Sequence, residues 1–201
     1  DNLKVDIATA RLEYYDSPAA LPTVELSSIK RDLYRRDFTI NALAIKLNLE
    51  QFGELVDFFG AQRDIKERVI RVFHNLSFVE DPTRVLRAIR FEQRFGFQLG
   101  KQTQNLIKNA VKMGFLDRLS GRRIFTELVL IFNEEDPIPI LRRMRDLDLL
   151  KSIHIKIPWE KESENLLENI KNVISWYDLL FLEGECEKWL VYFYGLMDSL
   201  V

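Results

Sequence analysis

The sequence predicts an α+β fold, with strands and helices mixed over residues 1–72 and helices alone over 73–201. Three observations predict it. Short β-patterned runs separated by turn signals fill the first third. Strand signals largely stop after Asn75. Beyond that point, apolar residues recur at helical spacing between helix start and stop signals. At 201 residues, 47% hydrophobic and 30% charged, the chain is long enough to bury a core and is not of disordered composition.

The first ten residues, DNLKVDIATA, alternate: Leu3, Val5 and Ile7 fall on one side, Lys4, Asp6 and Ala8 on the other. That is a strand pattern, and it starts without a turn signal, so the chain is expected to open in the middle of a sheet. Arg11 to Ser28 is polar, holds Pro18 and Pro22, and is expected to be a loop. RDFTINALAIKLN combines a short helical turn with a strand over Leu43 to Leu47. ELVDFF is a further strand, AQRDIKERV a helix and VIRVF a short edge strand. In SFVEDPTRVLRAIRFEQRFGF, Asp81 is placed to cap a helix, Pro82 to occupy its first turn and Gly96 to stop it. Helices follow at about 102–113, 120–133, 137–149, 163–181 and 186–199, with Ser163 and Glu164 opening the fourth. Val201 lies in an apolar, helix-like stretch with no stop signal, so the last helical region is expected to be incomplete.

The net charge is −2, but its distribution is uneven. Residues 151–201 hold five Lys against nine Asp or Glu, so the positive balance lies in the first 150 residues. Any nucleic-acid contact is expected from arginine clusters there. Cys186 is the only cysteine, which excludes an internal disulfide and a Cys-rich metal cluster and fits a reducing, cytoplasmic setting. No apolar run is long enough to cross a bilayer, so no membrane partner is expected. No Walker-type or GxGxxG loop is present, which disfavours the phosphate-loop families.

The most informative segment is EDPTRVLRAIRF, residues 80–91. At about 100° per residue, Arg84, Arg87 and Arg90 share one arc of a helix, and Val85, Leu86 and Ile89 take the opposite arc. A solvated charged face is the plain reading. Like charges three apart repel, however, and the planar guanidinium fork suits phosphates and base edges. Asp81 stands at the helix start beside Arg84. A carboxylate only accepts hydrogen bonds and a guanidinium only donates them. Side by side they match the exocyclic amine and ring nitrogen of adenine or cytosine. Guanine and uracil present a carbonyl and a ring N–H instead, the wrong polarity at both places. The second segment is RRDFTINALA, residues 35–44, where two arginines, Asp37 and Asn41 could hold a triphosphate and a ribose. A helix-cap network with Asp37 as N-cap is the alternative.

Taken together, these segments resemble the class II tRNA nucleotidyltransferase and bacterial poly(A) polymerase family. The resemblance runs through VDIATAR, LPTVE, DLYRRDFTINALA, LVDFFGAQRDI and SFVEDPTRVLRAIRFEQRFGF, with a weaker match at LSGRRIFTEL. It covers about two thirds of the chain, in the family's order. It implies part of a nucleotidyltransferase head at 1–72, a helical neck with a base-reading helix at 73–135 and a helical body at 136–201. Arg36, Asp37 and Asn41 would contact ribose and phosphates, and Asp81 and Arg84 would read the base. Arg87 and Arg90 would hold phosphates or support that pair, and Arg123 with Glu127 would brace the helices.

The implied activity is transfer of AMP from ATP, with CMP from CTP as a second donor, to the 3′ end of tRNA or another RNA. Full CCA addition, terminal A addition and poly(A) synthesis are all open, because the Asp81–Arg84 pair admits both C and A. A non-catalytic RNA-binding module is the alternative from a different class. Nucleotidyl transfer needs Mg²⁺ held by close carboxylates. In the family these form an Asp-x-Asp pair ahead of the VDIATAR strand. No such pair stands ahead of VDIATAR in these 201 residues, which alone are expected to be inactive. Asp6 is a candidate third carboxylate, or merely an acid at a strand edge. Asp57 and Asp64 fall in a motif that in the family acts more as a hinge than as a metal site. His74 is expected to be structural and His154 to lie in a Lys-rich turn, while Trp159, Trp176 and Trp189 are expected to belong to the core or to a partner-domain face.

Overall fold

The computed structural model describes residues 4–153, 157, 159–180 and 186–198. The first third is built from short hairpins. β1 (Arg11–Tyr14) pairs antiparallel with β2 (Thr23–Leu26), Arg11 opposite Leu26 and Tyr14 opposite Thr23. The loop expected over Arg11 to Ser28 is therefore a hairpin, and only residues 15–22 between its strands are irregular. Two four-residue strands around a Pro-containing connection leave too short a β pattern to stand out. The reverse holds for the opening residues. Positions 4–10 form no strand, and Val5 and Ile7 are 68% and 95% exposed. Alternation favours a strand only where a neighbour completes the hydrogen-bond ladder; here the ladder with β2 goes no further than the Ser27 N–H donating to the Ala10 carbonyl at 3.0 Å. Leu3, the first member of the alternation, lies outside the described residues.

α1 (Ile29–Tyr34) leads into a 3-10 turn at Thr39–Asn41 and β3 (Leu43–Ile45), which pairs antiparallel with β4 (Leu55–Asp57). α2 (Ala61–Glu67) starts on the Asp57 side chain, which accepts the N–H groups of Phe59, Gly60, Ala61 and Gln62. Burial pushes the Asp57 carboxyl up, but these four donors more than offset it and hold it below the usual carboxylate range. Asp64 is fully buried, paired with Arg71, and accepts from Thr39 Oγ1 at 2.7 Å. Both acids thus hold local structure together. β5 (Val69–Ile70) runs parallel to β6 (Gln98–Leu99), a two-residue strand too short to be expected from sequence.

From Ser77 the described chain is helical apart from β6. α3 (Ser77–Glu80) precedes α4 (Thr83–Phe95), whose stop is Gly96 in the left-handed region at φ 61°. The Asp81 carboxylate accepts the Thr83 N–H at 3.0 Å, as a capping side chain should. α5 (Lys101–Lys112) and α6 (Gly121–Phe132) follow the expected spans closely. The single helix expected at 137–149 is two, α7 (Ile138–Asp146) and α8 (Leu149–Ile153). The break falls at Asp148, whose φ of 58° lets Leu149 and Leu150 turn back into the core. α9 (Lys161–Leu179) begins two residues before Ser163, and α10 (Lys188–Met197) closes the described chain; residues 181 and 199, where these helices were expected to end, are outside it, as is His154.

One buried cluster unites the elements. Phe38 and Ile70 from the mixed region pack with Val85, Leu86 and Ile89 of α4, Ile131 and Phe132 of α6, and Leu141 and Met144 of α7. Phe38 meets Phe91 edge-on at 5.9 Å. His74 stacks on Tyr34 at 5.5 Å, and Trp189 packs edge-on against Phe125 at 5.6 Å, whereas Trp176 is exposed. Because Phe38 is completely buried between the two regions, Phe38→Ala is expected to cost about 3–5 kcal/mol. Urea unfolding followed by far-UV signal and by tryptophan fluorescence should show one earlier transition in both probes. A loss confined to one probe would mean that the two regions do not share this core.

Candidate functional site

The RRDFTIN segment turns sharply after α1 and places Asp37 almost out of solvent against α4. Asp37 Oδ1 accepts from the Phe38 N–H at 2.9 Å and from Asn41 Nδ2 at 2.8 Å. Its Oδ2 accepts from Arg87 Nε and Nη2 at 2.9 and 2.5 Å. Local turn and distant helix are thus tied through one carboxylate. Arg36 stays half-exposed, with one guanidinium nitrogen 3.5 Å from Asp32 and another donating to the Asn41 carbonyl at 3.4 Å. Asp32 anchors this wall: it accepts the Arg11 N–H at 3.0 Å and pairs with Arg35 at 2.9 Å. Arg35 also reaches Glu13 at 2.6 Å.

The arginine arc of α4 is not a solvated face. Arg84 and Arg90 are only 5% and 6% exposed. Arg84 Nη2 donates to the Arg35 carbonyl at 2.9 Å, while its Nη1 is buried with no hydrogen-bond partner. Arg87 is held between Asp37 and Glu127, 3.6 Å away. Arg90, one turn further along α4, donates to Glu134 at 3.0 Å and lies 4.0 Å from Glu127. Burial pushes the Glu127 carboxyl up, and Arg87 and Arg90 only partly offset that rise.

These side chains enclose a cleft of about 480 Å³ lined by Glu13, Tyr15, Arg35, Arg36, Asp37, Asn41, Asp81, Thr83, Arg84 and Arg87. Six of the seven residues singled out for nucleotide contact therefore meet in one place, and Arg90 does not line it. Glu13, Tyr15 and Thr83 had carried no site assignment. Arg35 was visible as half of an arginine pair, whereas Glu13 and Tyr15 sat in a stretch expected to be a loop. Burial pushes the Tyr15 hydroxyl up to about 12, with Arg84 opposing the rise and Glu13 adding to it. Asp81 Oδ1 accepts from Thr83 N at 3.0 Å, Thr83 Oγ1 at 2.5 Å and Arg123 Nη2 at 2.8 Å. No hydrogen bond among the described residues engages its Oδ2. Arg123 and Glu127, expected as one brace, hold different partners: Arg123 takes Asp81, and Glu127 takes Arg87 and Arg90.

Chemically, the cleft offers a carboxylate acceptor and an unpartnered guanidinium donor at one wall, with further cationic groups at the other. Asp6 lies on the exposed opening segment. Among the described residues no three His, Cys, Asp or Glu side chains come together as ligands. No described helix is long and apolar enough to cross a membrane.

Residues 1–71 match the Poly A polymerase head domain, and residues 96–157 match a domain described as the probable RNA and SrmB-binding site of polymerase A. The chain belongs to the family of class II tRNA nucleotidyltransferases and bacterial poly(A) polymerases. Within it, the chain is 60% identical over 200 residues to the A-adding tRNA nucleotidyltransferase of Geobacter sulfurreducens, covering all of this chain and 23% of that relative. It superposes on a CCA-adding enzyme, apo form II, with a TM-score of 0.88 and 49% identity, over 96% of this chain and 45% of the other. A tRNA nucleotidyltransferase complexed with a primer tRNA and an incoming ATP analogue gives a TM-score of 0.80 at 41% identity, over 89% of this chain and 52% of that one. The chain therefore spans about a quarter of the curated relative's length. Nucleotidyltransferases of this family generally use a divalent metal.

The anchoring of the wall by Asp32 has a pH signature. Burial pushes its carboxyl up, and the Arg11 N–H with the Arg35 and Arg36 guanidiniums more than offsets this, so the folded pKa lies below the ordinary 3.8. A depressed folded pKa contributes stability above the unfolded value, and that stability is lost as pH falls through the folded one. Asp32→Asn should therefore destabilise the protein at pH 7, and its difference from the unsubstituted chain should shrink below pH 3.8 in parallel denaturation curves. A difference that stays constant down to acid pH would mean that the ionised carboxylate contributes nothing.

Proposed function

We propose that the protein carrying this chain transfers AMP from ATP, with CMP from CTP as a second donor, to the 3′ end of tRNA, and that this chain supplies the nucleotide-binding and base-selecting half of the reaction. The observation that carries the reading is the meeting of Asp81 and Arg84 in one cleft with Arg36, Asp37, Asn41 and Arg87. The A-adding name of the Geobacter relative supports ATP as the principal donor, with CTP second. The division into head at 1–72, neck at 73–135 and body at 136–201 belongs to the same proposal.

Asp81 Oδ2 accepts from the exocyclic amine, and Arg84 Nη1 donates to the adjacent ring nitrogen. A buried polar group left without its hydrogen bond costs about 1–3 kcal/mol. Guanine or uracil mismatches both positions, which amounts to rejection of roughly thirtyfold to ten-thousandfold at about 1.4 kcal/mol per decade. Arg36, the more exposed guanidinium, takes the triphosphate. Asp37 already accepts hydrogen bonds on both oxygens, so its part is to hold Arg87 and Asn41 toward the nucleotide. Arg90 supports α4 through Glu127 and Glu134. Magnesium is the divalent ion proposed for the whole protein, and the cytoplasm its setting. No chemical step is assigned to a metal held by these residues, and Asp6 is the carboxylate that the resemblance alone points to.

Asp81→Ala in the whole protein is expected to reduce preference for ATP over GTP and UTP at least tenfold in kcat/KM, on the cost of one unmatched group. It should change affinity for inorganic triphosphate little. An equal fall for all four nucleotides, with preference intact, would remove the base-reading role. Residues 1–201 alone are expected to give no incorporation of labelled ATP onto a tRNA lacking its terminal A. Robust incorporation would place the catalytic carboxylates within these residues, with Asp6 the first to substitute.

A further inference from the structure

The irregular connection between β1 and β2, residues 15–22, begins at Tyr15 in the wall of the cleft and passes close to the start of α6. It is fastened at one point. The Ala19 N–H donates to the Val79 carbonyl at 3.3 Å, and the Ala19 carbonyl accepts from Arg123 Nη1 at 2.8 Å. Ala19 adopts φ 63°, a left-handed conformation that is strained for a non-glycine residue. The other nitrogen of the same guanidinium, Arg123 Nη2, donates to Asp81 Oδ1 at 2.8 Å. One planar fork therefore grips the connection and the acceptor of the candidate base-reading pair at once.

We infer that Arg123 is a positioning residue for base selection, a latch that fixes the 15–22 connection and the Asp81 carboxylate in one arrangement. The inference rests on the function proposed above and adds a residue and a mechanism to it. Arg123 and the two Thr83 donors occupy Oδ1, so Oδ2 is the oxygen left for an adenine or cytosine amine. The guanidinium's rigid spacing between its two nitrogens sets where Asp81 stands relative to Ala19. With Ala19 pinned, Tyr15 is held beside the same pair. Removing the latch frees the carboxylate to rotate and the connection to swing away, so a wrong base meets a wall that can adapt. The arginines at the triphosphate end are not in contact with the latch, and their hold on phosphates should persist.

The test compares Arg123→Ala, Arg123→Lys and Ala19→Gly in the full-length protein. Arg123→Ala should lower ATP preference over GTP and UTP roughly tenfold, the size of one lost charged hydrogen bond. The affinity for inorganic triphosphate should change less than twofold. Amide hydrogen exchange at residues 16–21 should quicken at least tenfold, while exchange in α4 stays protected, which separates a latch from a loss of fold. Lysine has a single nitrogen and can make one of the two bonds, so Arg123→Lys should fall between. Ala19→Gly keeps the carbonyl and relaxes the backbone, and should leave preference within twofold. Unchanged preference in Arg123→Ala, or unchanged exchange at 16–21, overturns the latch. If the unsubstituted protein shows no preference among the four nucleotides, the proposed function falls instead, and the exchange measurement still decides whether Arg123 fastens the connection.

Discussion

The Asp37 carboxylate is the contact on which the site's geometry depends. It receives hydrogen bonds from its own turn, through Phe38 and Asn41, and from Arg87 of α4, fifty residues away. Directly behind it, Phe38 fills the core against Phe91. The polar tie and the apolar anchor are adjacent residues, so the turn cannot move relative to α4 without breaking both. A nearly buried carboxylate is tolerated because every donor it needs is present, two of them on a guanidinium. The rest of the cleft inherits its shape from this fastening: Arg36 lies just before it, and Arg84 lies one turn before Arg87 on α4.

A second layer of ion pairs keeps the arginines where they stand. Arg87, Glu127, Arg90, Glu134 and Arg94 alternate in charge along α4, away from the cleft. Each buried cation is thereby matched, except at Arg84 Nη1 and Arg90 Nε, which lack hydrogen-bond partners. An unmatched buried nitrogen is costly in a structure that serves only itself. At Arg84, which lines the cleft, that cost has a use: an acceptor on an incoming base would remove it.

Much of this was legible in the sequence where the signal is local. The limits of α4 follow from Asp81, Pro82 and Gly96, and the apolar arc of Val85, Leu86 and Ile89 is fully buried as its spacing requires. Where structure depends on distant partners, sequence was a poor guide. The hairpin of β1 and β2 hid behind two prolines because each strand is only four residues long. The alternation at 4–10 promised a strand, yet pairing rather than pattern decides. Asp148 breaks a helix through a left-handed conformation that an aspartate does not announce. The same distinction holds in the site. Arg84, Arg87 and Arg90 shared an arc as expected, but their partners are distant in sequence: the Arg35 carbonyl for Arg84, Asp37 and Glu127 for Arg87, and Glu134 for Arg90. That Arg123 grips Asp81 rather than pairing with Glu127 is likewise a fact of folding, not of spacing.

The central claim is that Asp81 and Arg84 choose the base by the polarity of two hydrogen bonds. ITP tests it with the least confusion. Hypoxanthine keeps the size of adenine but carries a carbonyl where adenine has its amine, and an N–H where adenine has a lone pair. It adds no further group. Equilibrium binding of ATP and ITP to the full-length protein should differ by about thirtyfold or more in favour of ATP, from two unmatched groups at about 1–3 kcal/mol each. Binding of the two within a few-fold of each other would contradict the account, because a cleft that holds both alike is not reading the edge of the base.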